Sequence, residues 1–233
     1  MKLPLFSYFS SAGDCFSFHF IVTYSYLKDQ TRKGIFSWTG SFFTFFGTGN
    51  AAVTNLYNTC FALRDSDEYF MVDAGGGNGI LKILDNMQVP VHRIHHIFVT
   101  HEHTDHILGI VWMIRMIATG MLKDQYQGDA YIYCHEDLAD TIRTLCRLTI
   151  QEKHFRFLDS RIHLDPLKDG DHRHILSYDV TFFDIHSTKA RQFGFSLTLN
   201  NGKKLTFLGD EPYNPVCEKY VRDCDWLLHE AFC

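Results

Sequence analysis

The motif H-x-H-x-D-H at residues 101–106 limits the possible folds more than any other feature of this chain. It directly follows an apolar strand predicted over Ile94–Thr100 and precedes an apolar helix predicted over Ile107–Met121. Three imidazoles and a carboxylate in so short a stretch are costly to bury without a bound partner. Because these groups are ligands that suit zinc, iron or manganese, the motif predicts a metal centre at the carboxyl end of a strand.

The spacing within the motif predicts two neighbouring metal sites. His101 and His103 point the same way in an extended segment, so they can hold one ion together. Asp105 and His106 lie at the turn into the helix and face a second ion. Two ions about 3.5–4 Å apart can clamp both the attacking and the leaving oxygen of a displacement. The alternative is a histidine-rich turn that binds nothing, and the strand-before, helix-after context disfavours it.

Beyond the motif, the chain from Phe42 onward alternates between predicted strands and predicted helices, with a hairpin turn at Asn200-Asn201-Gly202. Such an alternation with hairpins predicts a mixed α/β sandwich. Strands are predicted over Phe42–Phe46, Cys60–Leu63, Tyr69–Val72, Ala130–Cys134, Tyr178–Ile185, Phe195–Leu199, Leu205–Leu208 and Trp226–Leu228, and helices over Ile80–Asn86 and Glu136–Leu148.

The first 41 residues differ in pattern from the rest. The segment Phe16–Leu27 alternates apolar and other residues with period two, which predicts a strand, and it is too short to span a bilayer. A polar linker is predicted over Lys28–Gly34. We therefore expect an N-terminal extension of unknown role over residues 1–41, followed by one hydrolase domain over residues 42–233.

Charge and cysteine content narrow the function classes. A formal net charge of −5 argues against broad non-specific binding to nucleic acid, although a small nucleic-acid substrate at a metal is compatible with it. The 7 cysteines form no C-x-x-C pair, and an odd, unpatterned set is typical of reduced thiols. These features predict a cytoplasmic protein without a membrane partner.

Three further acidic or histidine residues follow predicted strands in a fixed order. Asp73 follows Tyr69–Val72, His186 follows Tyr178–Ile185, and Asp210 follows Leu205–Leu208. Together with the H-x-H-x-D-H motif, this order resembles the metallo-β-lactamase superfamily from about Phe42 to the end of the chain. The resemblance implies an α/β fold, the αβ/βα four-layer sandwich, and it implies that Asp73 orders the metal loop.

Within that superfamily, two segments resemble the ribonuclease Z-like branch. They are Phe45-Phe46-Gly47-Thr48-Gly49 and Leu228-His229-Glu230-Ala231-Phe232. The resemblance implies that His229 protonates the leaving oxygen and that Glu230 supports it, while Asp105 orients the attacking hydroxide. The implied metal ligands are His101, His103, His186 and Asp210 for the first ion, and Asp105, His106 and the bridging Asp210 for the second.

The chain departs from the branch in two places. The interval from His186 to Asp210 holds one strand hairpin, which leaves no room for the long arm that grips tRNA. A last metal histidine beyond the H-E-A motif is absent, since the sequence ends at Cys233. We therefore expect a chain that is incomplete at the C-terminus, with a mis-started N-terminus as the alternative or in addition. We also expect a second metal site that lacks one protein ligand, and low activity.

These observations predict a metal-dependent hydrolase, most simply a phosphodiesterase or ribonuclease Z-like enzyme acting on a small phosphodiester or RNA-like substrate. Two Zn²⁺ ions are expected, with Mn²⁺ or Fe as alternatives. Three other functions stay open: an ester, thioester or lactone hydrolase on the same metals, a mononuclear iron oxidoreductase, and a low-activity or inactive fragment. The sequence also leaves a homodimer open.

Overall fold

The structure is a computed structural model that describes residues 19–20, 35–38 and 41–231, with side chains described over residues 43–229. Most of the predicted strand over Phe16–Leu27, and the predicted linker over Lys28–Gly34, lie outside the described residues. Within the former, His19–Phe20 (β1) pairs antiparallel with Glu230–Ala231 (β14). The division of the chain at residue 41 stays a prediction.

A seven-stranded mixed sheet, here the first sheet, forms one half of the domain. The strands, in spatial and chain order, are β2 (Ile35–Trp38), β3 (Ser41–Gly47), β4 (Cys60–Asp65), β5 (Glu68–Val72), β6 (Ile94–Phe98), β7 (Ala130–His135) and β8 (Ile162–Leu167). Neighbouring strands pair antiparallel from β2 to β5 and parallel from β5 to β8.

A five-stranded sheet, here the second sheet, forms the other half. Its strands are β9 (His172–Ile175), β10 (Tyr178–Asp184), β11 (Phe193–Thr198), β12 (Lys204–Phe207) and β13 (Trp226–Leu228). Their spatial order is β13-β12-β11-β10-β9. Neighbouring strands pair antiparallel, except that β12 pairs parallel with β13.

The strands of the first sheet divide their side chains between two hydrophobic cores. In β4, Phe61 and Leu63 face the second sheet, whereas Cys60 and Ala62 face the helices. Strands buried on both faces read as continuous apolar runs, which is why this sheet could be recognised in the sequence. Aromatic side chains fill the space between the sheets: Phe61 meets Phe207 edge-to-face with ring centroids 5.2 Å apart.

The helices cover the two outer faces, which completes the four-layer αβ/βα sandwich and confirms the predicted fold class. Four helices accompany the first sheet: α1 (Gly79–Asn86), α2 (Thr104–Leu122), α3 (Glu136–Thr149) and α4 (Glu152–Phe155). On the second sheet, the short helix α5 (Glu218–Val221) contributes Tyr220 and Val221 to a small cluster around Phe183.

The structure differs from the predicted elements in several places, and the short helices α4 and α5 are among the elements that were not predicted. β6 ends at Phe98 rather than Thr100, and α2 begins at Thr104 rather than Ile107, so the end of the motif is helical. The strands β8 and β9 were not predicted. Both are edge strands, where a proline such as Pro166 or a polar run such as His172–Ile175 is tolerated.

In the described part of the chain, α2 is the one helix long and apolar enough to cross a membrane by length and composition. Half of its most apolar window is buried inside the domain, against the first sheet. A buried core helix passes the same test, so this feature is weak support for a membrane span.

Close backbone packing joins α2 to the loop that follows β5. The Gly109 N–H donates a hydrogen bond to the Gly75 carbonyl at 2.8 Å. A Cβ atom at Gly109 would lie 1.8 Å from the carbonyl oxygen of Ala74. Only glycine therefore allows the helix to approach this loop so closely.

We expect Gly109→Ala to lower the free energy of unfolding by about 1–3 kcal/mol, because the new methyl group overpacks the contact with Ala74. The measurement is urea-induced unfolding in the presence of a chelator. Gly77→Ala is the control, since its added Cβ meets no atom within 4 Å. Alanine normally stabilises a helix relative to glycine, so a more stable Gly109→Ala variant would contradict the described packing.

Candidate metal centre

Three of the six predicted metal ligands, His101, His106 and Asp210, converge at one edge of the sandwich, where strands of both sheets end. His101 and His103 follow β6, and Asp105 and His106 lie in the first turn of α2. Asp210 follows β12 of the second sheet. The site is therefore built from loops and a helix start that a rigid pair of sheets holds in place.

His101, His106 and Asp210 form a cluster in which one ligand atom of each residue lies within 4.8 Å of the others. The His106 Nε2 atom is 3.3 Å from Asp210 Oδ2, and His101 Nε2 is 3.8 Å from Asp210 Oδ1. Zinc–nitrogen bonds of about 2.0–2.1 Å in a tetrahedron separate ligand atoms by about 3.3 Å. The observed spacing thus fits a divalent ion without large movement.

Asp73 orients His106 for such a role. This carboxylate is 1% exposed and accepts hydrogen bonds from the Thr100 N–H and hydroxyl, each at 2.9 Å. Its Oδ2 atom also lies 2.8 Å from His106 Nδ1. A proton on Nδ1 leaves Nε2 free to face Asp210. Metal-binding histidines commonly have a carboxylate partner of this kind on the second ring nitrogen.

His101 is oriented in a similar way. Its Nδ1 lies 2.9 Å from Thr100 Oγ1, which already donates to Asp73 and so accepts from the imidazole. The unprotonated Nε2 then faces His103 Nδ1 at 2.8 Å. Two nitrogen lone pairs at this distance need a positive centre between them, either a proton or a metal ion. The donor set therefore fits a divalent ion.

Electrostatics within the cluster favour an ion pair when no metal is bound. Burial and, to a lesser extent, the neighbouring His106 lower the pKa of His101 to about 2. Burial also opposes a charge on His106, but Asp73 and Asp210 outweigh it and raise the pKa of His106 well above its ordinary value. Against the effect of burial, His106 and His101 hold the pKa of Asp210 below its ordinary value. A metal cation would replace the proton of His106.

The other predicted ligands lie around this cluster. Asp105 Oδ2 is 3.5 Å from His106 Nε2, and the exposed His103 contacts His101 as described. His186 is exposed, has a left-handed backbone with φ 55°, and lies outside the cluster of three. The assignment of His103, Asp105 and His186 as ligands stays a prediction.

A cavity of about 230 Å³ is lined by residues 185–188 and by residues 211–215, which directly follow Asp210 in the chain. His186 and Tyr213 line it. The ring of His229 packs edge-on against Tyr213, with centroids 6.3 Å apart. The Nδ1 atom of His229 is buried and has no hydrogen-bond partner among the described residues. The side chain of Glu230 lies outside the described residues, so its predicted role is still a prediction.

Several residues that support the site were not predicted. The buried Gln192 donates from Nε2 to Asp210 Oδ1 at 2.6 Å. The Tyr57 hydroxyl lies 2.9 Å from the Ala74 carbonyl, in the loop that follows Asp73. Neither residue belongs to a motif, and no spacing rule points to it.

Comparison with solved structures places the chain in the metallo-β-lactamase fold. YhfI of Bacillus subtilis aligns with a TM-score of 0.64 and 15% identity, over 81% of this chain and 70% of that protein. The short form of human tRNase Z aligns with a TM-score of 0.61 and 24% identity, over 79% of this chain and 75% of that protein. A diphosphatase of the PhnP family aligns with a TM-score of 0.59 and 11% identity, over 79% of this chain and 72% of that protein. At these identities the likeness shows the fold alone.

Comparison of the sequence with models of protein families identifies a narrower group than the fold does. The family model described as "Anti-Pycsar protein Apyc1" matches residues 42–233. The search of curated proteins finds no match.

We expect the metal-free protein to release about one proton for each Zn²⁺ ion bound at His106 at pH 7, because a histidine must be deprotonated to bind metal. The affinity should therefore rise with pH until it reaches the raised pKa of His106. Calorimetric titration in buffers of different ionisation enthalpy measures the proton count.

Asp73→Asn should release fewer protons at pH 7, because the carboxylate that raises the pKa of His106 has been removed. Asp67→Asn is the matched control, since Asp67 is exposed and pairs with Arg64. Equal proton release by the parent and Asp73→Asn would argue against the described ion pair.

Proposed function

Because the chain belongs to the Anti-Pycsar protein Apyc1 family, we propose that it is a metal-dependent phosphodiesterase whose substrate is a small cyclic nucleotide. The match to this family favours a cyclic nucleotide among the phosphodiesters that the sequence allowed. Hydrolysis of a cyclic phosphodiester needs no long arm for gripping tRNA, which agrees with the short hairpin between His186 and Asp210.

One observation carries this proposal. The ring nitrogens of His101 and His106 face the same carboxylate, Asp210, at 3.8 and 3.3 Å. Each ring has its other nitrogen engaged by a hydrogen-bond partner, Thr100 or Asp73. An arrangement that points three ligand atoms inward, at an edge beside a cavity, is suited to metal-assisted hydrolysis.

When bound, a divalent ion would lower the pKa of water at the site and would place positive charge beside the phosphoryl oxygens. The protein supplies orientation and proton transfer. Asp105, 3.5 Å from His106 Nε2 and partly buried, is placed to orient the attacking water and to accept its proton. Zn²⁺ is the ion that we propose, and Mn²⁺ and Fe are the alternatives.

His229 is the proposed general acid for the leaving oxygen. Burial lowers its pKa, so the ring is mostly neutral at pH 7 in the absence of substrate. A phosphodiester anion close to the ring favours the protonated form, which can then donate. The cavity lined by Tyr213, which His229 contacts, is large enough to hold part of a nucleoside.

We expect metal-dependent hydrolysis of 3′,5′-cyclic nucleotides to linear nucleotides, measured by chromatography after addition of Zn²⁺ or Mn²⁺. The same panel contains a short RNA, a thioester and a lactone. His101→Ala should abolish hydrolysis. His92→Ala should leave hydrolysis unchanged, because His92 is exposed and precedes β6, at the opposite end of that strand from the motif. Cleavage of the acyl substrates alone would replace the proposal with an acyl hydrolase.

His229→Ala should lower kcat/KM about 10²–10⁴-fold for a cyclic nucleotide, because its leaving alkoxide needs a proton. A nitrophenyl phosphodiester should lose far less activity, since nitrophenolate leaves without protonation. The measurement is steady-state kinetics on both substrates. His174→Ala is the control, since His174 is exposed and pairs with Asp179. Equal losses on both substrates would rule out a general-acid role.

A further inference from the structure

Gln192 occupies a fixed position behind the metal cluster. It lies directly before β11 and is 1% exposed. Its carbonyl accepts the Ile185 N–H at 3.0 Å, and the next N–H, that of Phe193, donates to the Thr100 carbonyl at 3.2 Å. Backbone bonds on both sides of the residue thus tie it to β10 and to the segment that leads into the metal motif.

The side-chain amide of Gln192 contacts two members of the cluster. Its Nε2 donates to Asp210 Oδ1 at 2.6 Å. It also lies 3.1 Å from His101 Nδ1, which is a contact rather than a hydrogen bond, because Nδ1 donates to Thr100 Oγ1. The two oxygens of Asp210 therefore have different neighbours. Oδ1 faces the amide, whereas Oδ2 faces His106 Nε2 at 3.3 Å. The amide fixes the rotation of the carboxylate and keeps Oδ2 directed toward His106.

The backbone at Gly209 leaves room for the side-chain amide of Gln192. Gly209 has φ 74°, and a Cβ atom there would lie 2.5 Å from Gln192 Nε2. A glycine immediately before Asp210 thus makes room for the amide against the backbone. A carboxylate in place of the amide would bring a second negative charge to Asp210 and would remove the donor.

We propose that Gln192 is a positioning residue that sets the orientation of Asp210 for metal binding. The inference rests on the metal-dependent function proposed above. Gln192 itself needs no contact with substrate. Partners that orient metal ligands in this way typically contribute 10–100-fold to metal affinity.

The test compares Gln192→Met and Gln192→Glu with the parent, using Co²⁺ as the probe. Both variants should bind Co²⁺ about 10–100-fold more weakly, measured by competition with a chelator, and should change the visible absorption spectrum of bound Co²⁺. Thr206→Val is the matched control. It removes a buried hydroxyl that bonds Ser196 and the Tyr220 carbonyl, so it should cost stability and leave the spectrum unchanged.

Parent affinity and an unchanged Co²⁺ spectrum in Gln192→Met would overturn the inference. A spectrum altered equally by Thr206→Val would also overturn it, since the effect would then follow from general loss of stability. If the parent binds no Co²⁺, the proposed function fails and the inference with it. If the parent binds Co²⁺ but cleaves no phosphodiester, only the proposed substrate fails, and the affinities still decide the role of Gln192.

Discussion

The buried carboxylate of Asp73 is the interaction on which the site depends. A charge that is 1% exposed is costly unless it is fully hydrogen-bonded, and Asp73 receives bonds from the Thr100 N–H, the Thr100 hydroxyl and His106. These bonds join the end of β5, the end of β6 and the start of α2. Asp73 thus orients both imidazoles: it contacts His106 directly, and it fixes the Thr100 hydroxyl that contacts His101.

The centre of the fold could be predicted from the sequence, whereas its edges could not. Strands such as β4 and β5 are buried on both faces, so most of each strand reads as an apolar run whatever its neighbours are. The edge strands β8 and β9 gain their structure from pairing with β7 and β10. A proline or a polar run suffices there, and such residues carry no strand signal of their own.

The same contrast applies to the site. The motif residues are close in sequence, so their spacing alone predicted neighbouring metal sites, although it paired His101 with His103 and His106 with Asp105. The cluster instead brings His101 and His106 together around Asp210. Asp210 could be included because it follows a strand, as a family resemblance led us to expect. The role of Gln192 has no local signal, since a glutamine in a loop is ordinary. Its position depends on contacts with Asp210 and His101, which only the folded chain brings together.

The three-residue cluster draws its members from both halves of the sandwich. His101 and His106 belong to the first sheet and its helix, and Asp210 belongs to the second sheet. An ion held by all three is therefore a non-covalent cross-link between the two sheets. Ligands that bind only the folded state stabilise it by mass action, so with such an ion bound the resistance of this domain to unfolding and proteolysis would depend on the free metal concentration around it.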